Sequence, residues 1–338
     1  MNSNNYFILT IDTFAIDTIE RYPNLARNKI PFINTEVNSN EIRILKAITK
    51  QVFHQTKITE NIHLITYMKQ QQLLETINFL QAEGITNPEI GIVLGTGLGK
   101  LVNEISIEKE IPYSNIPNFP VATVEFHSGK LIYGELSGKK VLVMAGRFHL
   151  YEGYNAWEVT YGIRTLHGLG IKNLLISNAA GAINLSYKKG DLMLIEDHIN
   201  LQGSSPLAFK GANAFGNIFA DMLEPYSKEI NTKMLTVAKK QNIQLHTGIY
   251  TSVLGPQLET RAEYRMLQIF ETDAVGMSTV PEVIVAKQLN LPCAAISVLT
   301  DECDPKNLQP VDIAEIIAIA GKAEPKMIAL FKGVIEML

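Results

Sequence analysis

The chain is poor in cysteine, in basic charge and in long apolar runs. Its two cysteines, Cys293 and Cys303, are too few for a zinc cluster or a disulfide framework, so we expect two reduced thiols in a cytoplasmic protein. The formal net charge of −4 gives no electrostatic footprint for nucleic-acid binding, which demands a basic face. No window approaches the roughly 18 to 20 apolar residues of a membrane helix. We therefore expect neither a nucleic-acid nor a membrane partner.

The N-terminal region contains no glycine before Gly84. Its most apolar stretch, YFILTIDTFAIDTI, is interrupted by Asp12 and Asp17 and follows no basic segment, so we do not expect a secretory signal. The later stretch MKQQQLLETINFLQAEGI has apolar residues at helical spacing and ends near that first glycine. We divide the chain into residues 1–67 and a domain over residues 68–338. The first part is either a small separate extension or the result of an upstream start codon.

From Glu89 onward, apolar runs of strand length alternate with amphipathic segments. Helices are predicted over residues 156–169, 260–270 and 280–289. The pattern predicts an α/β fold, a single domain with a central mixed β-sheet flanked by helices. In such folds, sites assemble at the carboxyl ends of the strands. The predicted strands are IGIVLG, KLIYGEL, KKVLVMAG, NLLISNAAG, DLMLIEDHI, LHTGIYTSVLG, AVGM and CAAISVLT.

A glycine-rich turn, GTGLGKL, follows the first of these runs. Lys100 stands where a dinucleotide-binding fingerprint needs its third glycine, and Leu101 stands where a triphosphate loop needs serine or threonine. Two interpretations remain. The turn is either a cradle of exposed backbone N–H groups and the Thr96 hydroxyl for a compact anion, or a tight turn whose glycines only satisfy sterics.

Further polar side chains follow other predicted strands. GRFHLYEGY offers Arg147, whose planar donor fork fits an oxyanion, and then His149 and Tyr151. An extended segment would place these three side chains on one side. FHSGK supplies His127, and SNAAGAIN supplies small residues over 179–181 where a backbone can approach a ligand closely. A lone arginine or histidine is usually structural, but the set together indicates an anion site.

Seven motifs carry a family resemblance, and in chain order they are GTGLG, EFHSGKLIYG, GRFHLYEGY, SNAAGAIN, GDLMLIEDHINL, LGPQLET and AVGMSTVPEVIVA. They resemble the trimeric class of purine nucleoside phosphorylases, close kin of the methylthioadenosine phosphorylases, over about four fifths of the chain. The resemblance implies a homotrimer that cleaves purine nucleosides with inorganic phosphate, a co-substrate, to give ribose 1-phosphate and free base in purine salvage. It implies no metal and no organic cofactor. Such chemistry needs an anchored phosphate, a held sugar and a stabilised departing base.

The resemblance also assigns roles to individual residues. Of these, His149, Glu259 and Asp301 are the implied catalytic groups, and His198 is expected to be structural. The implied phosphate contacts are Thr96, His127, Arg147, His149, the backbone N–H of Ala179, and Ser278; the implied ribose contacts are Tyr151 and Met277; the implied base contacts are Leu258, Glu259 and Asp301.

Three places depart from the family pattern. Asp301 stands where relatives specific for 6-oxopurines have asparagine; an ionised carboxylate would accept from a 6-amino group, and a protonated one would donate to N7. The stretch PVDIAEIIAIAGK lacks the histidine with which relatives bind the 5′-hydroxyl, and offers apolar residues such as Ile313. Ser204 and Ser205 occupy the region where relatives lend an aromatic to the neighbouring subunit, for which Phe209 is a substitute.

These departures keep a methylthioadenosine phosphorylase as the alternative. Against it, Cys303 stands where that family has a second acidic residue, so we favour a purine nucleoside phosphorylase with a broad or 6-amino-tolerant base pocket. A catalytically silent nucleoside-binding protein is less expected, because Arg147 and His149 are both present. A hydrolase would leave the anion-binding groups unused, and a dehydrogenase would need the fingerprint that Lys100 breaks.

Overall fold

The computed structural model describes residues 62–121, 129–310 and 312–338. Within them, Met68–Leu338 form one compact unit. The predicted N-terminal extension lies outside the described residues as far as residue 61. No helix in the described part of the chain is long and apolar enough to cross a membrane.

The described chain contains nine strands and seven helices. The strands are β1 (Ile90–Val93), β2 (Ser106–Pro112), β3 (Lys130–Leu136), β4 (Lys139–Ala145), β5 (Asn173–Ala182), β6 (Leu192–Asn200), β7 (Leu245–Ser252), β8 (Ala274–Gly276) and β9 (Cys293–Glu302). The helices are α1 (62–82), α2 (Ala156–Val159), α3 (Tyr161–Gly168), α4 (Lys228–Lys240), α5 (Arg261–Ile269), α6 (Val280–Gln288) and α7 (Ile313–Ile335). Short 3₁₀ turns lie at Lys100–Glu104, Tyr113–Asn115, Leu150–Glu152 and Ala212–Phe215.

The strands form one mixed sheet in the order β2-β3-β4-β1-β5-β8-β7-β6-β9. β9 also pairs with β5, so the last five strands of this order close into a ring. The other four strands, β1 to β4, continue the sheet outward from β5. β1 is parallel to β4 and to β5, and β5 is parallel to β9. The carboxyl ends of these four strands therefore meet at one edge of the sheet, which is where α/β proteins place their sites.

Apolar side chains on both sides of the sheet form the core. One cluster joins the sheet to α3 and α6, with Ile163 and Val283 fully buried. The other joins it to α4 and α7, with Met234 and Phe331 fully buried. Because both faces of the central strands are covered, these strands read as continuous apolar runs. The predicted α/β domain with a central mixed sheet flanked by helices is confirmed.

Several local predictions were wrong or incomplete. The helix expected over 156–169 is interrupted at Thr160. Its hydroxyl donates to the Ala156 carbonyl at 2.8 Å, and its backbone N–H donates to the Glu158 carbonyl. Threonine side chains compete with the backbone for hydrogen bonds in this way. Helix α1 already covers residue 62, before the expected start at Met68. Strand β2 was not predicted, because its sequence SIEKEIP is charged and mostly exposed, as suits an edge strand.

Candidate active site

A cavity of about 350 Å³ opens at the carboxyl edge of β1, β4, β5 and β9, a size typical of small-molecule sites. The structure brings ten of the eleven predicted site residues to its wall. The exception, His127, lies outside the described residues. The ten are Thr96, Arg147, His149, Tyr151, Ala179, Leu258, Glu259, Met277, Ser278 and Asp301.

The glycine turn after β1 contributes Thr96 to the cavity wall. Gly95 passes so close to β5 that a Cβ there would lie 2.7 Å from the Asn178 Cα, so this glycine is required by packing. The expectation of several exposed N–H groups was wrong for three of them. The N–H of Gly95 donates to Ser177, that of Leu98 to the Gly95 carbonyl, and that of Lys100 to Glu324 Oε1 at 2.5 Å.

Arg147 follows β4 and is almost completely buried. Its Nη1 donates to Ser278 Oγ at 2.9 Å, and its Nε lies 3.2 Å from Glu282 Oε1. Its Nη2 is buried and has no hydrogen-bond partner among the described residues. A buried donor without a partner is rare in folded proteins. Since Arg147 lines the cavity, the arrangement leaves a guanidinium donor available to a bound anion.

Glu282, in helix α6, is the buried counter-charge of Arg147, and each side chain is 2% exposed. Burial raises the pKa of the Glu282 carboxyl, and the guanidinium opposes that shift. A buried charge of either sign is costly unless it is paired. Glu282 therefore holds Arg147 in place behind the cavity wall.

A strained turn joins β8 to helix α6. Thr279 has φ 69° and ψ −54°, and the Val280 N–H donates to the Ser278 carbonyl at 2.7 Å, which defines a γ-turn of the rare, strained kind. A β-branched residue at positive φ is an outlier. The Thr279 hydroxyl accepts from Asn178 Nδ2 at 2.9 Å. The turn thereby fixes Ser278 beside Arg147, and strain of this kind clusters at functional sites.

His149 and Tyr151 lie on the same wall, though not in the extended segment that the sequence predicted. Leu150–Glu152 form a 3₁₀ turn, because Glu152 Oε1 accepts from the His149 backbone N–H and lies 2.8 Å from its Nδ1. The two aromatic rings stack at 4.6 Å. Burial lowers the pKa of His149, with Glu152 opposing, and burial raises the pKa of Tyr151 to about 12. Tyr151 is therefore a phenol donor at neutral pH.

The opposite wall carries two carboxyl groups, Glu259 and Asp301. Glu259 precedes the Thr260–Glu263 capping box that starts α5, so its backbone is anchored. Burial raises the pKa of Glu259, and a hydrogen bond from Tyr264 opposes the shift. Leu258 beside it is 43% exposed. This end of the cavity is more open than the Arg147 end.

Asp301 is placed by an irregularity in the β5–β9 pair. Ala180 faces Leu299 and Gly181 faces Asp301, so Thr300 is an extra residue in β9. Such bulges re-aim side chains next to functional sites. Asp301 Oδ1 accepts from Thr300 Oγ1 at 2.9 Å, and Oδ2 accepts from Cys303 Sγ at 3.1 Å.

Several residues of the site were not found from the sequence. Thr279, Glu282 and Tyr264 act from behind the wall, and no motif distinguishes them from core residues. Ala180, Gly181 and Ile313 lie on the wall, as the sequence analysis expected for small residues near a ligand and for an apolar residue in the stretch without histidine. The unpredicted residues on the wall are Asn178, Pro256, Val275, Gly276, Thr300 and Ile316.

Other residues considered in the sequence lie away from this cavity. His198 Nδ1 lies 3.1 Å from the Tyr226 hydroxyl, and burial lowers the pKa of His198 to about 4, in keeping with a structural role. Phe209 packs edge-on against Trp157 at 5.3 Å within the same chain. Ser204 and Ser205 are not among the lining residues.

The family to which these residues belong is shown by comparison with known proteins. The Phosphorylase superfamily model matches residues 89–336. Purine nucleoside phosphorylase 1 of Geobacillus stearothermophilus is 42% identical over 269 residues, which span 80% of this chain and 98% of that protein. The chain belongs to the purine nucleoside phosphorylase family. The mouse purine nucleoside phosphorylase is 39% identical over 255 residues, 73% of this chain and 88% of that protein.

Solved structures of this family have the same fold. Schistosoma mansoni purine nucleoside phosphorylase in complex with adenosine superposes with a TM-score of 0.75 at 37% identity, over 79% of this chain and 97% of that chain. Isoform 2 from the same organism, in complex with cytosine and ribose-1-phosphate, gives a TM-score of 0.76 at 36% identity, over 79% and 96%. The predicted family resemblance is confirmed.

Proposed function

We propose that this chain catalyses the phosphorolysis of purine nucleosides by inorganic phosphate, giving free purine base and ribose 1-phosphate. The observation that carries this proposal is the unpartnered Nη2 of Arg147 beside Ser278. It offers an anion site at one end of a cavity whose other end carries Glu259 and Asp301. The Arg147 end offers a positive charge to a phosphate, and the carboxyl groups at the other end offer hydrogen-bonding groups to the edge of a purine.

At the Arg147 end we assign the phosphate. Arg147 and the hydroxyls of Thr96 and Ser278 donate to its oxygens, with the Ala179 N–H, His149 and His127 as further contacts. A phosphate held there attacks the anomeric carbon from the face opposite the base. The new C–O bond forms as the glycosidic C–N bond breaks. The electron pair of the C–N bond leaves with the purine, which takes up a proton from solvent to give the free base. Holding the nucleophile in position is where much of the rate gain arises.

Between the two ends we assign the ribose to Tyr151 and Met277, a phenol donor and a thioether that packs against the ring. At the far end Leu258 contacts the purine plane, while Glu259 and Asp301 hydrogen-bond to its edge. These bonds orient the base for the reaction. The side chains of Ile313 and Ile316 add an apolar part to the wall.

We further propose that the enzyme needs no metal or organic cofactor, works in the cytoplasm and assembles as a homotrimer, as the family resemblance implies. The oligomeric state is checked by size-exclusion chromatography with light scattering. A trimer has three times the 37.5 kDa mass of one chain, and a monomeric, fully active enzyme would overturn this part of the proposal.

The test is base release from inosine, guanosine, adenosine and methylthioadenosine at matched concentrations, with and without phosphate. We expect release that depends on phosphate and is matched by ribose 1-phosphate for a purine ribonucleoside. Equal release without phosphate would indicate a hydrolase, and binding without release would indicate a silent nucleoside-binding protein. A higher turnover of methylthioadenosine than of the other three nucleosides would indicate the alternative activity, that of a methylthioadenosine phosphorylase.

A further inference from the structure

Cys303 has no role in the reaction proposed above. It lies one residue beyond β9, and its N–H donates to the Ala182 carbonyl at 2.8 Å, so the extended pairing continues through it. Residues two apart in an extended chain point to the same side. The Cys303 side chain therefore faces Asp301, and Sγ lies 3.1 Å from Oδ2.

The thiol is fixed in this contact by its surroundings. Cys303 is 1% exposed, and a Cβ at Gly181 on the paired strand would lie 2.6 Å from its Sγ and 2.9 Å from Asp301 Oδ2. Only a hydrogen fits at position 181. Burial raises the pKa of the Cys303 thiol most, and the charge of Asp301 raises it further. The group is therefore a thiol, a weak hydrogen-bond donor, and not a thiolate.

The other oxygen of Asp301 also has a donor. Thr300 Oγ1 lies 2.9 Å from Oδ1, closer than its 3.3 Å contact with the Ala180 carbonyl. With a donor on each oxygen, the carboxylate is oriented in its plane. Asp301 also lines the cavity, where its remaining lone pairs are available to accept hydrogen bonds.

The second carboxyl group of this wall, Glu259, also has a neutral neighbour. Tyr264 is 3% exposed, and a hydrogen bond from it opposes the raised pKa of Glu259. Both carboxyl groups at this end of the cavity therefore lie beside neutral side chains that can donate to them.

We propose that Cys303 is a positioning residue that presents Asp301 to the bound base as a hydrogen-bond acceptor, and that this directs the enzyme toward purines carrying a 6-amino group. This inference rests on the proposed function. A 6-amino group donates to an acceptor oriented in this way, whereas the oxygen of a 6-oxopurine meets a second acceptor there. A site that leaves polar groups unpaired discriminates strongly between such substrates.

The test compares kcat/KM for adenosine and inosine, together with KM for phosphate, in the wild type, Cys303→Ala and Cys303→Ser. We expect the wild type to prefer adenosine. In Cys303→Ala the adenosine-to-inosine ratio falls about fivefold to tenfold, the loss expected when a weak hydrogen-bond donor is removed, while KM for phosphate stays constant. Cys303→Ser keeps a donor and restores most of the ratio.

Cys293→Ala is the matched control, because Cys293 is equally buried but donates to the Pro225 carbonyl, away from the cavity. It is expected to leave the ratio unchanged whatever it does to stability. The inference is overturned if the wild type prefers inosine, or if Cys303→Ala lowers kcat/KM by the same factor for adenosine and for inosine. A wild type that releases no base from any nucleoside would instead overturn the proposed function.

Discussion

At one end of the cavity Arg147 and Glu282 are each 2% exposed, and a strained turn holds Ser278 against them. At the other end Leu258 is 43% exposed, and Asp301 is held by a neighbouring hydroxyl and a thiol. The first end is an arrangement of buried charges, which tolerates little movement because an unpaired buried charge is costly. The second end has neutral side chains beside two carboxyl groups. The difference predicts that substitutions at the two ends alter different kinetic constants.

The largest effect is expected for Arg147→Ala. The substitution removes the anion donor and leaves Glu282 buried without its counter-charge, which costs about 3 to 5 kcal/mol of folding free energy. We expect kcat/KM for phosphate to fall by about 100-fold or more, together with a lower Tm. Adding Glu282→Gln removes the unpaired charge and recovers part of the stability. Recovery of phosphate use in that double variant would contradict the role of Arg147.

Gly181→Ala tests the base end. The new Cβ would meet Cys303 Sγ and Asp301 Oδ2 below 3 Å, so one of them must move; overpacking of this kind costs about 1 to 3 kcal/mol. We expect a higher KM for the nucleoside and an unchanged KM for phosphate. Gly321→Ala in α7 is the matched control, since its Cβ meets only Lys100 Nζ at 3.6 Å. A shift in phosphate KM alone would mean that the two ends are not separable.

Glu324→Ala tests what shapes the glycine turn. The buried carboxyl of Glu324 accepts from the Lys100 N–H at 2.5 Å, and its removal loses this part-buried hydrogen bond, at a cost of about 1 to 3 kcal/mol. Chemical denaturation is the measurement. Glu324→Gln keeps an acceptor and should cost less. Equal losses in both variants would show that packing, and not this hydrogen bond, holds the turn.

The smallest effect concerns His198, outside both ends. Burial lowers its pKa to about 4, so the unfolded chain, with an ordinary histidine pKa near 6.5, takes up the proton first. Stability is therefore complete above about pH 6.5 and is lost as the pH falls toward 4. We expect His198→Gln to reduce the loss between pH 7 and pH 5 by about 1 to 2 kcal/mol, measured by denaturation at each pH. Parallel curves for variant and wild type would refute this.

The sequence allowed the fold and most of the cavity wall to be predicted, because periodicity and local motifs are properties of short segments. Continuous apolar runs identified eight of the nine described strands, and motifs identified Arg147 and Ser278. The charged edge strand β2 has neither feature. The partners behind the wall could not be found, since Glu282 and Tyr264 lie on helices whose contacts with the site depend on tertiary packing. The bulge at Thr300 likewise exists only in the pairing of two strands.

The most direct test of a divided cavity compares Arg147→Lys with Asp301→Asn in one set of assays. We predict that Arg147→Lys raises KM for phosphate and leaves the adenosine-to-inosine ratio unchanged, because a point charge replaces the fork. Asp301→Asn is predicted to shift that ratio toward inosine and leave KM for phosphate unchanged, because an amide can donate to a 6-oxo group. Both constants changing together in either variant would contradict the account.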